Sequence, residues 1–233
     1  MRTAIRTQAA RIRRRLPVRW GSFRRTNPVS TYYGYDRGNP VDRAYIEDFL
    51  AAHARDISGR VLEVRDPRYT LAYGADRVTS SEVMDIDANN PEATLVADLA
   101  SPGSLPESRF DCVIVTQTLQ YVSRPETAIE NLWQSLAPGG VALVTVPCIA
   151  RIDPDLAAVD RWRFTPAGLE LLFQQAGGWS DLEVRGFGNV LTSASFLYGL
   201  ATRELRKREL AEHDPEFPLT AAARARRAAE RTA

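Results

Sequence analysis

The chain has 233 residues, with 30 basic and 29 acidic side chains that leave a formal charge of +1 at pH 7, and it is 44% hydrophobic and 25% charged. That is enough apolar material for one domain with a sizeable core, and the near-neutral balance removes the case for a chain built to coat nucleic acid. No apolar run reaches the roughly 20 residues of a spanning helix, and no signal-peptide core follows the N-terminal arginines.

In chain order, residues 1–30 are predicted to form a basic helical arm. No acid precedes Asp36, Ile5, Ile12 and Leu16 fall loosely on one helical face, and Pro17 stops the helix. The arm reads as partly ordered or as a solvated helix, with an anionic membrane surface, an acidic partner or nucleic acid as the alternative. Residues 31–223 are read as the α/β domain and 224–233 as a helix-prone tail. Tyr32 to Pro40 is dense in turn formers and aromatics, which predicts a structured loop. Asp42 is a candidate N-cap for a helix from Arg43 to about Ala54, with Tyr45, Ile46, Phe49 and Leu50 on its apolar side. His53 on that helix reads as a surface residue.

Strand signals follow. Arg60–Val64 is a buried strand, a second strand runs from about Arg77 to Glu82, and Ala93–Ala97 leads into Asp98-Leu99. Phe110–Gln117 is an apolar run, and Leu136-Ala-Pro-Gly-Gly140 ends a helix and enters a strand reaching Pro147. Strands alternating with helical patterns predict a Rossmann-like α/β fold, a mostly parallel sheet with helices on both faces. Ligands of such sheets bind at the carboxyl ends of the strands. Cys112 and Cys148 lie in or beside buried strands and read as core thiols of a reducing, cytoplasmic protein. No His/Cys cluster has metal-ligand spacing.

The succession Val61-Leu-Glu-Val64, Ala97-Asp-Leu99, Phe110-Asp-Cys-Val-Ile-Val115, Thr118-Leu-Gln-Tyr-Val122 and Leu136-Ala-Pro-Gly-Gly140 resembles the class I S-adenosylmethionine-dependent methyltransferases in order and spacing. Where that family places Gly-x-Gly-x-Gly, this chain has Arg65-Asp-Pro-Arg-Tyr-Thr70. It is similar to a subgroup without the glycine loop through Gly34–Pro40 and Trp162–Pro166. The resemblance implies S-adenosyl-L-methionine as cofactor and a site that includes Glu63 at the end of the first strand. In the loop, Asp66 would accept from the cofactor's ammonium and Arg68 would pair with its carboxylate, or the side chains would plug the pocket. Glu82 is the preferred acid for the ribose hydroxyls, with Asp85 and Asp87 as competitors. Asp98 would accept from the adenine amino group beside the Leu99 amide, or merely cap a turn. Thr116, Gln117, Thr118 and Gln120 face the crevice, with Gln117 counted among the cofactor contacts.

For the acceptor side the resemblance implies a lid from Tyr33, Tyr35, Asp36 and Arg37, or else a loop pinned by its aromatics. Arg151 to Pro166 would line the acceptor pocket. Asp160 and Tyr33 are the catalytic candidates, and Arg161, Trp162 and Arg163 would hold an anionic, sugar or aromatic acceptor; the alternative is a surface network around a packed Trp. His213 lies far from the predicted crevice in sequence. A helix follows from Pro166 to Ala176, Leu182–Val184 and Ala221–Ala225 read as edge strands, and Leu191–Leu200 as a helix used for core or homodimer contact. The sequence thus predicts a methyltransferase acting on a small-molecule or sugar-containing acceptor. The alternative is a methyltransferase-fold protein that binds a partner or has repurposed its pocket.

Overall fold

The computed structural model describes Arg19 and residues 21–229, so most of the predicted basic arm lies outside the described residues. Seven strands form one sheet in the order β3-β2-β1-β4-β5-β7-β6. They are β1 (Gly59–Val64), β2 (Val78–Asp85), β3 (Leu95–Val96), β4 (Phe110–Thr116), β5 (Leu136–Pro147), β6 (Trp179–Phe187) and β7 (Thr220–Arg227). The first five pair in parallel, while β7 runs antiparallel to both β5 and β6.

Successive side chains of the central strands enter opposite cores, as the two-residue period of a strand dictates. Val113 and Val115 pack with Leu62, Val144, Ile129, Leu132 and Phe173 on one face. Cys112 and Ile114 pack with Val61, Leu143, Ile46 and Leu50 on the other. The first face is covered by helices α2 (Pro125–Ser135) and α3 (Pro166–Gln175), the second by α1 (Val41–Ala52). Both thiols are free, and burial pushes Cys148 up to about 12 and Cys112 higher still.

Three expectations change. Helix α1 starts at Val41 after Pro40, so Asp42 sits in the first turn and makes no capping bond. Strand β2 continues three residues past Glu82. The stretch Ala221–Ala225 is not an edge: β7 lies between β5 and β6 and extends through Arg227, so residues 224–227 are strand rather than helix-prone tail. Between β6 and β7 the chain inserts helix α4 (Val190–Leu197) and a short helix α5 (Lys207–Ala211). Among the described residues no helix is long and apolar enough to cross a membrane.

Candidate functional site

The strand order reverses between β1 and β4, and the crevice there is walled by the loops after β1, β2, β3 and β4. Glu63, 3% exposed, organises the first loop. Its carboxylate accepts from Tyr69 N at 3.0 Å, Thr70 N at 2.7 Å and Thr70 Oγ1 at 2.7 Å. Burial raises its pKa, and these three bonds offset part of the rise. Arg65 adopts φ +78° and donates its amide to Met84 O at 2.8 Å, so the chain keeps a left-handed step without a glycine. A side chain there costs about 1–2 kcal/mol. Asp66 accepts from Arg68 N at 3.1 Å, and its Oδ1 stands 3.9 Å from Arg68 Nε, with both side chains substantially exposed. The two charges expected to grip a cofactor thus also define their own turn. Arg43, held charged beside Asp42, donates to Tyr69 Oη at 2.9 Å and ties α1 to the loop.

Glu82 does not end its strand. It pairs with Leu62 in mid-sheet and is taken by Arg109, with Nη2 to Oε1 at 2.7 Å, at the amino end of β4. It is already ion-paired and lies inside the strand, whereas Asp85, its competitor in the sequence, ends β2. Asp85 accepts from Asp87 N at 3.0 Å and Asn90 Nδ2 at 2.7 Å, and the same Asn90 nitrogen reaches Arg65 O at 2.7 Å. A carboxylate has about four acceptor positions, so two remain. Ile86 follows with 69% of its surface exposed. Sequence reading missed both Ile86 and the Asn90 brace, although Asn90-Pro91 is a turn signal. After β3, Asp98 is exposed and accepts from Ala100 N at 2.9 Å and Ser101 Oγ at 3.3 Å, while Leu99 is buried beside it.

At the end of β4, Gln117 takes φ +48° and donates its amide to Thr145 O at 2.8 Å. Gln120 Nε2 donates to Gln117 O at 2.8 Å. That leaves Gln117 Nε2 and Gln120 Oε1 buried without a protein partner, one donor and one acceptor. Orphaned buried polar atoms are costly in a folded chain, so an ordered water or a ligand is expected to meet them.

The segment from Ala150 to Phe164 closes the acceptor side. Asp160 is bound by Arg163 at 2.5 and 3.0 Å, its side chain 2% exposed, and the guanidinium holds its carboxyl below the usual range. Arg163 also donates to Arg151 O and Trp162 O. Trp162 Nε1 donates to Val122 O at 2.8 Å, and Arg161 Nη1 to Tyr121 O at 3.1 Å. The groups expected to seize an acceptor therefore fasten the segment to the end of β4. Tyr33 Oη donates to Asp153 Oδ2 at 3.2 Å, and burial pushes its pKa up to about 12. The Arg151 guanidinium lies 4.4 Å over the Tyr33 ring, its Nε is buried without a partner, and among the described residues it is in no ion pair. Tyr33, Tyr121, Asp153, Asp160 and Arg163 lie within electrostatic reach of one another, so the two catalytic candidates do share one cluster. Asp153, Tyr121 and Arg151 are the members that sequence did not single out.

The loop carrying Tyr33 is pinned rather than loose. Ser30 Oγ donates to Asp36 at 2.5 Å, Arg37 pairs with Glu204, and Thr202 N donates to Asn39 O at 2.8 Å. His53 stands 3.9 Å from Asp56, and His213 accepts from Gly188 N at 3.2 Å; burial lowers both imidazoles, and neither belongs to this cluster. Two depressions of about 330 Å³ lie elsewhere, one around Arg55, Asp111 and Arg226 at the amino ends of the strands, the other around Gln174 and Trp179.

Residues 52–144 match the methyltransferase domain family. A malonyl-[acyl-carrier protein] O-methyltransferase of Chlorobium luteolum is 32% identical over 144 residues, 53% of this chain and 52% of that protein, so the chain spans about half the length of the curated relative it matches. A S-adenosylmethionine-dependent methyltransferase structure from Archaeoglobus fulgidus superposes with a TM-score of 0.56 at 15% identity, over 85% of this chain and all of that one. The [4+2]-cyclase SpnF gives 0.53 at 17% identity, over 83% and 84%. The fold is that of the class I S-adenosylmethionine-dependent methyltransferases, and residues 52–144 are similar in sequence to the methyltransferase domain family.

S-adenosylmethionine is the cofactor of that class, and the crevice fits its demands. Asp85 has acceptor positions for a diol, Ile86 offers a plate for a flat ring, and the orphaned Gln117 Nε2 and Gln120 Oε1 match a group that carries both a carboxylate and an ammonium.

Proposed function

We propose that this protein is a S-adenosylmethionine-dependent methyltransferase acting on a small-molecule or sugar-containing acceptor. The observation that carries the reading is the pair of orphaned atoms, Gln117 Nε2 and Gln120 Oε1, after the carboxyl end of β4, with Asp85 at the end of β2 on the same edge of the sheet. In this reading Asp85 binds the ribose, Ile86, Asp98 and Leu99 receive the adenine, and Asp66, Arg68 and Gln117 hold the amino-acid end. Glu63 shapes the loop they stand on. The bound cofactor supplies an electrophilic methyl on a sulfonium.

The chain's own part is to hold a nucleophile in line and exclude water, which alone lowers much of the barrier. Tyr33 keeps its proton at neutral pH and serves as a donor that orients the acceptor. Asp160, neutralised by Arg163, is a weak base. Asp153, at hydrogen-bonding distance from Tyr33, receives the proton of an acceptor hydroxyl, and Arg151 meets an acceptor's anionic group. The free thiols fit a cytoplasmic setting.

Calorimetric titration with S-adenosylhomocysteine tests the reading. Wild type is expected to bind, and Asp85→Ala and Gln117→Leu to lose about 1–3 kcal/mol each. No heat at millimolar ligand ends the methyltransferase reading. It would favour the second one, a repurposed pocket, which rests on the side chains of Arg65 to Tyr69 and on Pro67, which has no amide to donate.

A further inference from the structure

Helix α1 carries an acid on the side that it buries. At about 100° per residue, Asp42 lies between Arg43 and Tyr45 around the helix. Arg43 reaches Tyr69 in the loop after β1, and the Tyr45 ring lies 6.2 Å from that of Phe187 on β6. Asp42 therefore faces the strands between, which are β4, β5 and β7. Because α1 ends shortly before β1 begins, its first turn stands at the carboxyl end of the parallel strands. Asp42 Oδ1 is buried there without a hydrogen-bond partner. Among the described residues Asp42 is in no ion pair, since Arg43 is turned to Tyr69. Burial raises the carboxyl's pKa against the pull of the Arg43 charge.

The sheet presents two further orphans on the same face and at the same end. By strand period Thr145 shares the α1 face with Leu143, and Thr220 shares it with Ala222. Thr145 stands opposite Ala222, and Thr220 opposite Pro147, where β5 ends. Thr145 is 0% exposed and Thr220 1%, and neither Oγ1 has a partner. Tyr33 of the acceptor-side loop packs against this same core. A buried carboxyl without a partner is costly, so its presence calls for a cation that the chain does not supply. An ammonium group has three N–H donors, one for each of these oxygens.

We infer that Asp42, Thr145 and Thr220 form a binding site for a primary ammonium group. Strands β5 and β7 lie beyond β4 from the strands of the cofactor side, which favours an amine carried by the acceptor. The amino-acid end of the cofactor is the other bearer of the same chemistry. Which of the two occupies the site rests on the methyltransferase reading, whereas the site itself does not.

Thermal unfolding of the full chain with ethylamine, compared with ethanol at matched ionic strength, tests the site. Wild type is expected to gain melting temperature with ethylamine and not with ethanol. Asp42→Asn should abolish that gain and Thr220→Val should weaken it. Neither should lower the melting temperature of the free protein, because each removes an orphaned group. Calorimetry then identifies the bearer. S-adenosylhomocysteine affinity within about twofold of wild type in Asp42→Asn assigns the ammonium to the acceptor. A loss of about tenfold that 5′-methylthioadenosine, which lacks the amino-acid end, does not share assigns it to the cofactor. A wild type that binds neither nucleoside ends the methyltransferase reading and leaves the ethylamine result to decide this one. The inference is overturned if Asp42→Asn changes neither the ethylamine response nor S-adenosylhomocysteine affinity, as for an acid that only serves the helix dipole. It is also overturned if ethanol acts like ethylamine or if both nucleosides weaken alike.

Discussion

At the scale of single residues, the side chain of Glu63 orders the loop after β1. Two backbone amides and one hydroxyl converge on its oxygens. Glu63→Gln turns an amide NH2 toward one of these donors, so it should lower stability by about 1–3 kcal/mol in denaturant melts despite its similar volume. Asp160 tests the acceptor-side segment by pH. Its folded carboxyl titrates below its unfolded value of about 3.9, so its stabilising effect is present above that value and is lost as pH falls through the lower folded one. Asp160→Asn should have a lower melting temperature at pH 7 and should lose less on acidification to pH 2 than wild type does; parallel curves would show that the Arg163 pair contributes nothing. The strand-end logic made Glu63, Asp98 and Gln117 legible in the sequence. It chose Glu82 over Asp85 because Thr79, Ser80 and Ser81 are exposed, so the outer half of β2 has no apolar period to mark where the strand ends. The orphaned amides of Gln117 and Gln120 were beyond sequence altogether, since orphanhood is a property of neighbours.

At the scale of elements, the parallel strands β1, β4 and β5 announced themselves by runs of buried aliphatics, whereas β7 was legible only in part, as an edge strand from Ala221 to Ala225. Alanine is the best helix former, and the arginines from Arg224 to Arg227 look solvated, so intrinsic preference made the stretch from Arg224 onward a helix-prone tail. Tertiary context wins. Ala221, Ala222, Ala223 and Ala225 are each at most 1% exposed, because β7 fills the slot between β5 and β6 with helices packed over both faces. Arg224 and Arg226 converge on Asp56, at 2.7 and 2.9 Å, and Arg224 also reaches Asp181 at 2.7 Å. The small side chains are what let the layers close. Ala223→Leu should therefore overpack the core and cost about 1–3 kcal/mol in thermal or denaturant unfolding. A neutral outcome would mean that this face has unrecognised room.

At the scale of the whole molecule, the proposed function gives the crevice two walls of different origin. Its cofactor wall stands on strand ends, whereas its acceptor wall depends on the segment from Ser30 to Pro40, which the insertion between β6 and β7 holds in place. Gly34 is one of the tight points of that contact. It has φ +96°, and a Cβ added there would stand 2.7 Å from Leu200 O, while Pro40 bridges to Ala201. Gly34→Ala meets both a left-handed backbone and a fixed carbonyl, so the loop must lift off the insertion, carrying Tyr33 with it. The expected result is a lower melting temperature and weaker handling of the acceptor, with S-adenosylhomocysteine affinity within about twofold of wild type, as for a change that spares the cofactor wall. Calorimetry and thermal unfolding read the two effects separately. An unchanged melting temperature would show that the loop is not fastened there, and a parallel loss of S-adenosylhomocysteine binding would show that the two walls are one unit.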